Sequence, residues 1–144
     1  MKRKVRFLTA EQVVALHDAL IERDGGSLGG GARGAAHEGV DAAVQAVKNS
    51  YYESLEELAA AYAVYIVQGH VFLDGNKRSG VAALLVFLEA HGVRVRIPAQ
   101  RLAAMMIELQ ERARAGASAA GLVDWIAGTL AARRGRAARS RRKR

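Results

Sequence analysis

The 144-residue sequence contains no cysteine. A disulfide scaffold, a thiolate zinc site and a cysteine nucleophile are therefore excluded, and histidine and carboxylate side chains must carry any catalysis. Long apolar runs are also missing, because none approaches the ~20 residues that a membrane-spanning helix needs. The basic N-terminal residues lead into a polar helix start and not into the apolar core of a signal peptide. We therefore expect a cytoplasmic protein with no membrane partner.

Acidic residues are missing from the C-terminal end. The last twelve residues hold eight of the 22 Lys and Arg residues, whereas residues 1–132 carry 14 basic and 14 acidic side chains. A segment of this composition cannot bury enough apolar surface to fold on its own. The sequence thus predicts one domain over residues 1–132 and a disordered basic tail over residues 133–144. The tail is either a solvated extension or a salt-sensitive, nonspecific binding segment for nucleic acid or an acidic partner.

Two capping boxes mark the starts of helices, since Thr9 is followed by Gln12 and Ser54 by Glu57. Each predicts a helix that begins at the residue after the Thr or Ser. The first helix is expected to end at a pair of glycines, with an apolar face formed by Val13, Leu16 and Leu20. The second is apolar on most sides, so it is expected at the centre of the fold.

Most of the remaining sequence also has helical patterns. Residues 25–39 hold seven of the fifteen glycines and are predicted to form a loop. Further helices are predicted over residues 40–48, over the apolar run from Val81, after Pro98 and around Trp125. Alternation of Val and Ile with Arg over residues 93–97 predicts a short strand. The predicted fold class is a compact, single-domain, all-α fold with one short extended segment.

Polar residues interrupt the sequence between its two most apolar helices. Asp74, Gly75 and Asn76 form a turn sequence just before the second of these helices, whose free N–H groups and dipole favour an anion. Lys77 and Arg78 add two cations at a helix end that disfavours cations. This arrangement indicates a phosphate-binding site.

A general base and a magnesium ligand are available at the same helix start. His70 lies four residues before Asp74, and this pair predicts phosphoryl or nucleotidyl transfer. Asn76 stands where a Walker A loop requires Lys, which excludes a P-loop NTPase. The other histidines have no comparable context and are expected to be surface or structural residues: His17, His37 and His91.

The segment HVFLDGNKRSG resembles the signature of the Fic/Doc family, HPFx[D/E]GN[G/K]R, and in particular the death-on-curing (Doc) form HPFxDGNKRT. The flanking segments FLTAEQVVALHDALIERDGGS, YYESLEELAAAYAVYIVQGH and LLVFLEAHG are also similar to the Doc pattern. The resemblance covers about residues 7–92 and implies the helical Fic/Doc fold.

The resemblance implies a role for each residue of the motif. His70 would be the general base that takes the proton from a target hydroxyl, Phe72 would anchor the loop in the core, and Asp74 would hold Mg²⁺. The phosphates of ATP would be bound by Gly75, Asn76, Lys77 and Arg78. These roles suit phosphoryl transfer, which depends on positioned cations and an in-line nucleophile.

Two departures from the adenylylating members of the family bear on the reaction. Those enzymes have Gly at the position of Lys77 and a second Arg at the position of Val81. The resemblance therefore implies that the γ-phosphate, and not the adenylyl group, meets the target hydroxyl. Four other departures are expected to change loop geometry or weaken activity. Val71 replaces Pro, Gly80 replaces Ala, Leu28 replaces a Pro that often follows GGS, and the glycine-rich segment GGGARGAAHEG is looser than the usual loop.

The resemblance implies a Doc-like toxin of a toxin–antitoxin pair, which uses ATP and Mg²⁺ to phosphorylate Ser or Thr of a target protein. Elongation factor Tu is the first candidate target. The expected outcome is arrest of translation and growth, and the expected partner is a small Phd-like antitoxin. Two alternatives remain open. One is a protein adenylyltransferase on the same fold, and the other is a non-catalytic protein that binds nucleic acid through its tail.

Overall fold

A computed structural model describes residues 4–25 and 33–136. Within these ranges the chain forms six α-helices and two short strands. The elements are α1 (Ala10–Asp24), α2 (Arg33–Lys48), α3 (Leu55–Gly69), α4 (Asn76–Ala90), β1 (Val93–Val95), α5 (Ala99–Arg114), α6 (Ala119–Ala132) and β2 (Arg134–Arg136). The all-α prediction is thereby confirmed. No helix in the described ranges has the length and apolar character needed to cross a bilayer.

Both predicted capping boxes are present. The backbone N–H of Gln12 donates to the Thr9 hydroxyl at 3.1 Å, and the Thr9 N–H donates to the Gln12 side chain at 2.8 Å. Ser54 and Glu57 make the equivalent pair of hydrogen bonds at the start of α3. Because each box satisfies two N–H groups that have no intrahelical acceptor, the starts of α1 and α3 follow from local sequence.

Helix α3 lies at the centre of the fold and packs against α2, α4 and α6. Residues 58–64 are all buried, which confirms the predicted central position. The Tyr62 hydroxyl on this helix accepts the Leu8 N–H at 2.8 Å, so it ties the chain before α1 to the core. Burial raises the pKa of Tyr62 to about 12, which keeps this hydroxyl neutral up to strongly alkaline pH.

Helix α4 lies very close to α3 at Gly80. A Cβ atom added to Gly80 would be 2.9 Å from Cγ2 of Val67, closer than real Cβ contacts. Glycine at this position therefore lets α4 approach the branched side chain of Val67. The departure at Gly80 is explained by packing between these two helices.

The buried face of α1 differs from the predicted one. The buried residues are Ala10, Val13, His17 and Ile21, whereas Leu16 and Leu20 are half-buried. The predicted face was therefore rotated by about one residue, because a histidine was not counted as a core residue. His17 lies in the middle of the face that packs on the rest of the protein.

Helix α2 begins at Arg33, seven residues before the predicted start near Val40. The prediction treated residues 25–39 as a loop because of their glycines, but alanines strongly favour helix and support its extension through this segment. Gly25 has a φ of 90° and ends α1 as predicted. Residues 26–32, including the departure at Leu28, lie outside the described residues.

The predicted disordered tail is wrong for its first residues. Strand β2 pairs antiparallel with β1, so that Arg94 lies opposite Gly135. The Arg134 guanidinium donates to the carboxylate of Glu56 at 2.8 Å. The tail prediction considered composition alone, whereas the backbone ladder and this ion pair hold residues 134–136 on the domain. Residues 137–144 lie outside the described residues.

The Glu56–Arg134 pair should contribute measurably to stability, because the Glu56 side chain is only 8% exposed and Arg134 is 44% exposed. Arg134→Ala would leave a buried carboxylate without its cation. We expect a loss of about 1–2 kcal/mol in the free energy of unfolding, between the values for exposed and fully buried pairs. Urea denaturation measures this loss.

Arg133→Ala is the matched control, because Arg133 is exposed and adjacent in sequence. It should change the free energy of unfolding by less than about 0.5 kcal/mol. Equal losses for the two variants would contradict a specific role for Arg134.

Candidate active site

The candidate active site lies in the connection between α3 and α4. His70 ends α3 in the left-handed conformation, with φ 47° and ψ 49°, and is the only non-glycine residue with positive φ in the described ranges. Its N–H donates to the Val67 carbonyl at 3.3 Å. Histidine is among the residues that adopt this conformation more often than most. The side chain is exposed, so a target hydroxyl can reach it.

Asn76 holds the connection in shape. Its side-chain oxygen accepts the Phe72 N–H at 2.9 Å, and its amide nitrogen donates to the Phe72 carbonyl at 2.8 Å. The Phe72 side chain is buried, whereas Leu73 is 71% exposed. The prediction that Phe72 anchors the loop in the core is consistent with this placement. The Asn76 side chain is therefore occupied in fixing the loop.

Val71 is also buried, and it packs beside α2. A Cβ atom added to Gly39 would be 3.4 Å from Cβ and Cγ1 of Val71, an ordinary contact. Valine in place of the usual proline is thus accommodated by the core, and its N–H is retained.

The start of α4 offers backbone donors to an anion. Gly75 precedes the helix in the left-handed conformation with φ 81°, and its N–H donates to the Asp74 carboxylate at 2.8 Å. The N–H groups of Asn76, Lys77 and Arg78 belong to the first turn, where helix geometry provides no intrahelical acceptor. This turn has the backbone donors that phosphates bind at helix starts.

The residues at this turn fit Mg²⁺. Asp74 is exposed and places its carboxylate beside the anion-binding turn. The described residues contain no cluster of three or more His, Asp or Glu side chains that could hold a metal by themselves. Mg²⁺ is usually bound through one or two carboxylates together with phosphate oxygens and waters. A single carboxylate next to a phosphate-binding turn is a suitable donor set for this ion.

The two cations of the motif have different surroundings. Lys77 is exposed at the first turn of α4. Arg78 is half-buried, and its guanidinium donates to the Gly25 carbonyl at the end of α1 at 3.2 Å. Hydrogen bonding from Arg23, together with the positive charge of Arg78, lowers the pKa of the Asp24 carboxyl. Arg78 therefore connects the predicted phosphate site to the end of α1.

His17 contacts the motif, a contact that the sequence analysis missed. Its ring stacks on Phe72 with centroids 3.7 Å apart and an angle of 4°, and its Nε2 lies 2.8 Å from the Asp74 carbonyl. The spacing of Val13, His17 and Ile21, four residues apart, is the signal that would have placed His17 on the buried face.

The predictions for the other two histidines have different outcomes. His91 is structural, because it accepts the Arg6 N–H at 2.9 Å and its Nδ1 lies 2.8 Å from the Phe87 carbonyl. The side chain of His37 lies outside the described residues.

All six predicted site residues thus lie in one short stretch from the end of α3 to the first turn of α4: His70, Asp74, Gly75, Asn76, Lys77 and Arg78. The stretch combines an exposed imidazole, an exposed carboxylate, a helix N-terminus and two cations. These groups can together bind a phosphate chain and accept a proton.

Comparisons with known proteins agree with the motif. Residues 7–88 match the sequence profile of the Fic/DOC family. The chain is 41% identical over 93 residues to the protein kinase Doc of Escherichia phage P1, an alignment that covers 63% of this chain and 72% of the relative. The profile match includes the whole stretch from His70 to Arg78. On the strength of both comparisons the chain belongs to the Fic/Doc family, in its Doc subfamily.

Proposed function

We propose that the protein transfers the γ-phosphate of ATP to a Ser or Thr hydroxyl of a target protein. The observation that carries this proposal is the junction of α3 and α4, where a potential base at His70 and a carboxylate at Asp74 flank an anion-binding helix start. Phosphoryl transfer needs little covalent help from a protein. It depends instead on positioning and on charge stabilisation, which these groups supply.

His70 accepts the proton of the target hydroxyl in this reaction. The hydroxyl oxygen forms a bond to the γ-phosphorus, the bond from that phosphorus to the β,γ-bridging oxygen breaks, and ADP leaves. The N–H groups at the start of α4 and the side chain of Lys77 bind the phosphates. Asp74 would hold Mg²⁺, which neutralises charge on the phosphates.

Two features favour transfer of phosphate over transfer of AMP. Lys77 is exposed in the first turn of α4, where adenylylating members of the family have Gly, so its side chain occupies space beside the phosphates. Val81 packs against the apolar core, so no cation is present where those enzymes have a second Arg. The similarity to a protein kinase of phage P1 supports the same choice.

The biological role we propose is that of a toxin. Its kinase activity would act on elongation factor Tu as the first candidate target and arrest translation and growth. A Phd-like antitoxin would neutralise it. The support for this role is the similarity to the Doc subfamily.

Replacement of His70 tests the base. His70→Ala and His70→Asn should both lower the rate of transfer from ATP by about 10²-fold or more, because neither side chain is an effective base. Asn tolerates the left-handed conformation well, so it separates loss of the base from backbone strain. Thermal denaturation should show little change for His70→Asn. Wild-type transfer and full toxicity in that variant, at equal expression, would refute the assignment.

The chemical group that is transferred distinguishes the two enzyme classes. Mass spectrometry of a target incubated with ATP should show the addition of a phosphate. Label from the γ position of ATP should appear on the target, and label from the α position should not. Addition of AMP by the wild-type protein would overturn the phosphotransfer proposal in favour of the adenylyltransferase alternative.

We also propose that the basic C-terminal end binds nucleic acid nonspecifically. Its support is the concentration of eight of the 22 Lys and Arg residues in the last twelve positions. Arg94 and Arg96 are exposed on and beside β1, the strand that pairs with the start of this segment. Binding of this kind would depend on phosphate contacts and would weaken steeply as salt increases.

Truncation tests this binding. The cut belongs after Arg136, because removal of β2 would also remove the partner of Glu56. The truncated protein should lose affinity for duplex DNA at low salt and keep its phosphotransfer activity. The full-length protein assayed at increasing salt provides the comparison, with a falling affinity expected. Unchanged DNA affinity after truncation would rule out this use of the tail.

A further inference from the structure

His17 makes three contacts through its side chain, two with the connection between α3 and α4 and one with its neighbour Asp18. The side chain is 2% exposed, and its ring lies parallel to that of Phe72 at 3.7 Å. Its Nε2 lies 2.8 Å from the Asp74 carbonyl oxygen, which can only accept, so Nε2 donates. Its Nδ1 lies 3.0 Å from a carboxylate oxygen of Asp18. The ring has a single well-defined orientation.

The bond from His17 acts on the peptide between Asp74 and Gly75. The carbonyl of this peptide accepts from His17, and its N–H donates to the side chain of Asp74 at 2.8 Å. A peptide is planar, so the two groups cannot turn independently. Rotation of the plane would break both bonds and remove one hydrogen bond from the carboxylate.

Helix α1 also limits movement of this peptide by packing. A Cβ atom added to Gly75 would be 3.1 Å from Cδ1 of Ile21 and 3.4 Å from Cδ2 of His17. Glycine is favoured here, because its φ of 81° would strain other residues and a Cβ atom would also crowd Ile21. On the other side of the loop, Asn76 holds Phe72 through two hydrogen bonds. The connection is therefore fixed from α1 as well as from α4.

We propose that His17 is a positioning residue of the active site. It fixes the plane of the Asp74–Gly75 peptide and through it the direction of the carboxylate that would hold Mg²⁺. The effect on Mg²⁺ rests on the phosphotransfer function proposed above, whereas the effect on the peptide does not. His17 does not touch the reacting atoms in this role.

Two substitutions separate the hydrogen bond from the packing. His17→Phe keeps a flat ring of similar size to stack on Phe72 but has no donor for the Asp74 carbonyl. His17→Gln has no ring, but its amide nitrogen can occupy the place of Nε2 and donate. A purely structural role predicts that Phe is the better replacement. The positioning role predicts that Gln is.

The first measurement is the hydrogen-exchange rate of the Gly75 amide, followed in ¹H–¹⁵N spectra of the protein without nucleotide. The exchange rate reports the hydrogen bond, whereas the position of the resonance would respond to any change of the neighbouring ring. We expect this amide to exchange faster in His17→Phe, because the N–H loses its bond to the carboxylate. His17→Gln should keep the wild-type rate. Thermal denaturation of both variants checks that they are folded.

The second measurement is the Mg²⁺ concentration that gives half-maximal phosphotransfer. It should rise by about tenfold or more for His17→Phe and by much less for His17→Gln, as with other residues that orient a metal ligand. A wild-type exchange rate of the Gly75 amide in folded His17→Phe would overturn the proposal, as would an unchanged Mg²⁺ requirement. If the wild-type protein itself transfers no phosphate, the proposed function fails, and the exchange rate of Gly75 still decides whether His17 fixes the peptide.

Discussion

The close packing of α3 against α4 is the constraint on which the rest of the structure depends. Helix α3 is buried along most of its length, and α4 approaches it so closely that a Cβ atom at residue 80 would be 2.9 Å from Cγ2 of Val67. The chain must pass from one buried helix to the next within six residues. It does so with a left-handed residue at each end of the connection, His70 and Gly75. The geometry that packs the core therefore also builds the candidate active site.

The backbone that carries the polar groups of the site is held by several contacts, although some of these groups are exposed. Asn76 and His17 hold the backbone of the connection from two helices, and the buried ring of Phe72 stacks on that of His17. The side chains of His70 and Asp74 remain exposed at the ends of this rigid segment. Positioning of a base and a carboxylate on a fixed backbone reduces the ordering that a reaction would otherwise require.

Some parts of the fold were predictable because their causes are local. Each capping box lies within four residues, so the starts of α1 and α3 could be placed from the sequence. Other parts were predicted incorrectly because a local rule was applied where another interaction prevails. The start of α2 was placed too late, since glycines were taken as loop residues. The predicted tail began too early, at residue 133, since composition does not reveal that residues 134–136 pair with β1.

The sequence by itself determined the order and type of the elements as far as α6, the family and the residues of the motif, because these depend on short spacings that are visible along the chain. Only the tertiary structure decided that His17 supports the motif and that Arg134 neutralises Glu56. These contacts join residues 57 and 78 positions apart. A histidine or an arginine has the same local pattern whether it is exposed or paired. Its role depends on which distant helix the packing of the core places beside it.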